Sequence, residues 1–231
     1  MTEGALLSLP VVSREGVFFW MLRTLVKVRY SFFVTAVLFG MGARSKRALA
    51  VWIAVSFVAI LLHELGHAMA ARAFGGTPEI ELYSFGGLTR SAWAEGTPWH
   101  QRVIVCLAGS GVGFVLGGLE YAREIFAAGH GSYLMALAGR YFLWITLGWG
   151  LFNLLPLLPM DGGLALTEVL EHRLGGGRGQ RLARKISVVT GAAGVAGGLV
   201  LGQMWAALLC GIFAIDNYQR LRGLPGVELP R

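Results

Sequence analysis

The chain has 231 residues, of which 55% are hydrophobic and 14% charged, where soluble domains carry roughly a quarter charged. Mean hydropathy is +0.61, and the 34 glycines are roughly twice ordinary usage. These figures exclude a disordered, collagen-like or disulfide-stapled chain and point to a polytopic membrane protein with apolar spans of about 20 residues. The net charge is +7. The basic residues sit between apolar runs and form no stripe, so the excess reads as cytoplasmic loop charge rather than a nucleic-acid surface. Cys106 and Cys210 both lie in apolar segments and read as packing residues.

The chain opens MTEGALLSLP, with no basic region ahead of an apolar core, so no cleavable signal peptide is expected there. Residues 1–15 are polar. Residues 16–29 mix Phe18, Phe19, Trp20 and Met21 with Arg23, Lys27 and Arg29, a blend that suits an interfacial segment. Residues 1–29 are therefore expected to form an N-terminal polar and interfacial segment. A short first span covers 30–43, with Lys27 and Arg29 snorkelling.

Arg44-Ser45-Lys46-Arg47 breaks the apolar pattern, and a second span covers 48–72. Residues 73–100 are rich in glycine and proline. Within them Glu79-Ile80-Glu81-Leu82-Tyr83 alternates like a strand, and Gly86-Gly87 offers a turn. A third span covers 101–121. A fourth covers 135–158 and ends in prolines. Residues 171–185 read as a basic loop.

The last apolar stretch, 186–215, is long for one span and short for two. A tight hairpin at Gly202-Gln203 makes it two. The expectation is an all-α polytopic membrane protein of about six transmembrane helices, with a small membrane-associated β-hairpin between spans two and three. The transmembrane domain is expected over 30–222, its catalytic core over about 48–165, and a tail over 223–231. In that arrangement 15 of the 20 basic residues fall on one side, which sets both termini in the cytoplasm and the chain in the cell (inner) membrane. The cluster at 44–47 runs against the count.

His63-Glu64-Leu65-Gly66-His67 reads H-E-x-x-H. On a helix, positions i and i+4 share a face, so two imidazoles can bind one Zn²⁺ with the glutamate beside it as general base. From 5 histidines and 11 glutamates, about 0.005 such matches are expected by chance. The motif follows an apolar run without charge, where ionisable groups need a function. A zinc site also needs a third protein ligand. Of only two aspartates, Asp161 ends the fourth span in Asn153-x-x-Pro156-x-x-Pro159-x-Asp161-Gly162, and Asp216 reads as interfacial.

These two motifs together resemble the site-2 protease family of intramembrane zinc metalloproteases. The likeness covers roughly residues 26–165. It implies one zinc ion held by His63, His67 and Asp161, Glu64 as the catalytic acid/base, and Asn153 holding substrate near the metal. The segment around Ile80, Leu82, Gly86 and Gly87 resembles the family hairpin that pairs with an unwound substrate, consistent with edge-strand addition. The implied substrate is a transmembrane segment of another protein, such as an anti-sigma factor or a membrane-tethered transcription factor. The implied partners are that protein and the bilayer, with no nucleic acid.

Two features depart from the family. The chain is too short for an added PDZ or CBS domain, and Ala108-Gly109-Ser110-Gly111 stands where a Gly-Pro pair is common. The alternative is a non-catalytic metal- or substrate-binding membrane protein, pseudo-protease or transporter-like. Gly109, Gly113, Gly117 and Gly194, Gly198, Gly202 are spaced for close helix packing. Gly66 is expected to let span two approach span four. His100, His130 and His172 read as isolated, and the seven tryptophans as interfacial anchors.

Overall fold

The computed structural model describes residues 6–93, 96–126 and 132–226. His130 and the end of the tail lie outside them. The chain divides into two compact units, Met1–Thr97 with Ala108–Gly150, and Pro98–Leu107 with Leu151–Arg231.

The first unit opens with three strands where an interfacial segment was expected: β1 (Val11–Val12), β2 (Gly16–Met21) and β3 (Thr24–Arg29). In β3 the side chains alternate, with Thr24, Val26 and Val28 buried and Leu25, Lys27 and Arg29 turned outward. Leu22 and Arg23, both at positive φ, make the tight β2–β3 turn. The ten-residue α1 (Tyr30–Phe39) follows, shorter than the expected first span.

Helix α2 (Lys46–Ala73) is capped by Ser45, whose hydroxyl accepts from Ala48 N–H at 3.1 Å. It ends at Gly75, with φ +81°. Strands β4 (Thr77–Tyr83) and β5 (Gly86–Ala92) then complete a five-stranded sheet in the order β1-β2-β3-β4-β5. All neighbours are antiparallel except β3 and β4, which are parallel. One sheet face carries Val26, Val28, Ile80 and Leu82 into a core with Phe32, Ala36, Leu61, Leu65 and Ala68. The other face carries charge: Lys27 pairs with Glu79 at 2.6 Å, and buried Glu81 pairs with both Arg29 and Arg90.

Helix α3 (Trp99–Phe126) runs through the third predicted span, and residues 108–126 of it pack in this unit. The fourth span is not one regular helix. It is α4 (Tyr133–Leu143), a π-helical segment Trp144–Trp149, and α5 (Gly150–Asn153). The π turns coincide with Gly113 and Gly117 of α3, where added Cβ atoms would meet Thr146 and Leu147.

The second unit holds the first turns of α3, then α6 (Asp161–Leu174), α7 (Gly176–Val200) and α8 (Met204–Leu221). The expected basic loop at 171–185 is helical but for Gly175, at φ +82°. Gly179 permits this, because its Cα packs on the backbone of Leu170 and Glu171. His172 is not isolated: it stacks on Trp99 at 4.8 Å. Asp216, expected at an interface, is buried and paired with Arg220 at 2.8 Å. The turn at Gly202 (φ +68°) lies between α7 and α8, where the hairpin was expected.

Among the described residues, Lys46–Ala73, Trp99–Phe126 and Tyr133–Asn153 are long and apolar enough to cross a membrane. Exposed Ile104, Leu107, Val115 and Leu119 on α3 give it an apolar outer surface of the kind lipid covers. The chain is a mostly helical membrane protein with one small sheet.

Candidate active site

Helix α2 presents His63 and His67 one turn apart. Their Nε2 atoms converge to 3.1 Å, and their rings meet edge to face at 4.8 Å. Two Zn–N bonds of about 2.0–2.1 Å to one ion are compatible with that spacing. From His63 to Ala68 every residue is buried, so this turn is enclosed on all sides.

Different elements enclose its different faces. Leu65 and Ala68 pack into the core beneath the sheet. On the face toward α3, Gly66 and Gly109 let the helices touch. A Cβ on Gly66 would lie 2.8 Å from the Ala108 carbonyl, and one on Gly109 would strike His67 Nε2. Gly66 thus serves contact with α3, not with the fourth span as expected. The Gly109 N–H also faces His67 Nδ1 at 3.3 Å.

Glu64 lies under β5. The Thr89 hydroxyl is 2.7 Å from Glu64 Oε2 and 3.1 Å from the Glu64 carbonyl, a shared donor for both. Gly87, two residues earlier on the same strand face, leaves room for the carboxylate: any Cβ there would collide with Glu64. Tyr83 closes β4 nearby. Burial first, then the charges of Glu64 and Glu81, push its phenol above the usual range. Gly86, at φ +117°, packs against the Trp149 ring, at 3.1 Å from its ideal Cβ position.

Thr89 was missed from sequence. The signal was present, since it shares the strand period with Gly87. Ile80 and Leu82 are fully buried in the core, and β4 is paired on both sides by β3 and β5. Neither their side chains nor their backbone face outward. The open edge beside the glutamate belongs to β5.

The second unit holds Asp161 and Asn153. Asp161 is the first residue of α6, where the helix dipole favours a carboxylate. The turn before it is tight. Added Cβ atoms on Gly162 and Gly163 would meet the backbone of Leu154, Leu157 and Leu158. Asn153 is buried at the end of α5.

The donor set of the α2 turn fits zinc: two convergent buried imidazoles, an adjacent carboxylate, and a glycine where any side chain would fill the space at His67.

No family model matches the chain. Sequence relatives do. The chain is 32% identical over 172 residues to a candidate zinc metalloprotease of Synechocystis, covering 70% of this chain and 44% of that protein. It is 33% identical over 161 residues to the candidate zinc metalloprotease Rip3 of Mycobacterium tuberculosis, covering 65% and 40%. A zinc metalloprotease of Methanocaldococcus jannaschii is 31% identical over 132 residues, covering 56% and 37%. The chain thus spans about two-fifths of the length of these relatives. Among solved structures, the site-2 protease from Methanocaldococcus jannaschii has the same fold, with a TM-score of 0.61 over 96% of this chain and 98% of that one, at 22% identity. Over about two-fifths of their length the chain is thus similar in sequence to zinc metalloproteases, and it shares the fold of a site-2 protease.

Proposed function

We propose that the chain is an intramembrane zinc endopeptidase that cuts a peptide bond within or near a transmembrane segment of another protein. The observation that carries this reading is the held glutamate: Glu64 sits beside two convergent histidines and is oriented by Thr89. One zinc ion per chain is held by His63 and His67, with Asp161 as third ligand. When bound, zinc polarises a carbonyl and acidifies water. Glu64 takes the proton of the attacking water and passes it to the leaving amide nitrogen. The substrate enters unwound and adds as a strand to the free edge of β5. Asn153 helps hold it. Burying the site excludes bulk water from the carboxylate and strengthens its electrostatics.

The chain crosses the cell membrane six times with both termini in the cytoplasm. Its substrate is a membrane-tethered regulator, such as an anti-sigma factor or transcription-factor precursor. The resemblance of the two motifs and the 15 basic residues on one side support these points.

The test is cleavage of single-span substrates in liposomes, with zinc measured on the purified protein. Glu64→Gln is expected to keep its zinc and lose at least about 100-fold in rate. His67→Ala is expected to lose the zinc. Undiminished cleavage by Glu64→Gln overturns the role of the base. A zinc-loaded wild type that cuts no substrate favours the non-catalytic alternative.

A further inference from the structure

We propose that Ser187 and Asn217 are positioning residues for Asp161: together they grip the backbone of Leu158 and thereby fix the turn that presents this carboxylate. The proposal rests on the reading of Asp161 as the third zinc ligand.

Leu158 lies three residues before Asp161, in a stretch where Pro156 and Pro159 contribute no N–H. Its backbone groups have no helical partners and are satisfied from elsewhere. The Leu158 N–H donates to Ser187 Oγ at 2.9 Å. Its carbonyl accepts from Asn217 Nδ2 at 2.8 Å. Each side chain is also tied to its own helix. Ser187 donates to the Ala183 carbonyl at 2.9 Å, and Asn217 donates to the Phe213 carbonyl at 2.8 Å.

Both residues are essentially inaccessible, at 1% and 0% exposure. A buried hydroxyl and amide in apolar helices are costly unless bonded, and here each is bonded both to its own helix and to Leu158. Among the described residues Asn217 Oδ1 has no hydrogen-bond partner, so the amide is oriented by its donor side.

Helix packing explains why two helices reach one residue. Gly191, Gly194 and Gly198 of α7 abut Ala207, Cys210 and Ala214 of α8. A Cβ on Gly198 would lie 2.8 Å from Ala207 N, and one on Gly191 would lie 2.9 Å from the Cys210 carbonyl. Small residues bring the two backbones together along this seam. Ser187 and Asn217 lie on the same faces, one turn beyond the glycines and alanines.

Leu158 then passes the constraint on. A Cβ on Gly163 would lie 2.5 Å from Leu158 N, so the first turn of α6 rests directly on the gripped residue. Asp161 is the first residue of that turn. Moving Leu158 moves the start of α6, and the carboxylate with it. Partners that orient a metal ligand from behind are commonly worth 10–100-fold in metal affinity.

The test uses the full chain in detergent, with zinc affinity measured by competition against a chromogenic chelator. Thermal unfolding of the zinc-stripped protein is followed by circular dichroism. Ser187→Ala with Asn217→Ala is expected to weaken zinc binding about 10–100-fold, and Asp161→Ala at least as much. Ser187→Thr keeps the hydroxyl and is expected to bind like wild type, a rescue that helix packing alone does not predict. Ser187→Ala alone carries the same test should the double variant not fold.

Zinc affinity within twofold of wild type in folded Ser187→Ala, with Asp161→Ala weakened, overturns the grip and leaves the ligand reading intact. Equal weakening by Ser187→Thr and Ser187→Ala overturns it too. Wild-type affinity in Asp161→Ala overturns the ligand reading, and the proposal with it.

Discussion

The two sides of the α2 turn are held by different kinds of structure. Toward α3 the contact is helix on helix, and the histidine side is shaped by missing side chains at Gly66 and Gly109. Toward the sheet, the glutamate side is shaped by a strand that supplies both a space, at Gly87, and a donor, at Thr89. A helix offers close approach but no free backbone groups. An edge strand offers both, together with an open ladder for another chain. The metal-binding and proton-transfer functions of one helical turn are thus supported by separate neighbours, and separate substitutions should damage them.

The largest expected effect strikes both sides at once. Ile80→Ala empties a fully buried site in the core under the turn and should cost about 2–5 kcal/mol, read as a lower melting temperature. It should not alter substrate preference, as the Ile80 side chain is fully buried. Gly109→Ala puts a methyl group into His67 and should weaken zinc binding roughly 10-fold or more, measured by chelator competition, with turnover of the zinc-saturated enzyme much less affected. Thr89→Val should do the converse. It removes a hydrogen bond to a charged group, worth about 1.5–3 kcal/mol, so turnover should fall roughly 10-fold or more while zinc affinity holds. If Thr89→Val releases zinc, or Gly109→Ala slows turnover at full zinc occupancy as much as it weakens binding, the two sides are one mechanical unit. Lys27→Ala, on the charged sheet face, should change stability by less than about 1 kcal/mol in chemical denaturation, because the pair with Glu79 is exposed.

The helical part of this site was legible because its information is local. Histidines four apart share a face in any helix, and the apolar run around them could not be mistaken. The glycine spacing at 109, 113 and 117 also reported real close packing. What escaped depends on partners distant in sequence. The alternation in β3 was there to read, but bulky and basic neighbours at 18–23 resembled an interfacial segment, and its pairing strand lies about fifty residues on. Gly66 was rightly seen as a contact glycine and assigned to the wrong helix, since periodicity gives a face and not its neighbour. The two prolines before Asp161 announced an irregular turn. They could not say that a serine 29 residues and an asparagine 59 residues later would hold it. Their one sequence signal is being lone polar groups in helices otherwise apolar or small on that face.

The parallel pairing of β3 with β4 bears on how the molecule is made. The β1–β3 meander can form as soon as it is synthesised, because its contacts are antiparallel and close in sequence. Its β3 edge then stays open until α1 and α2 have been made and β4 has returned alongside it, in register from Leu25 with Glu79 to Val28 with Leu82. β5 follows directly and pairs with β4 as a local antiparallel hairpin, which brings Thr89 over the glutamate. The last strand to be made is the one that finishes the proton-transfer side, so a chain halted before β5 carries its histidines but lacks the donor that orients its base.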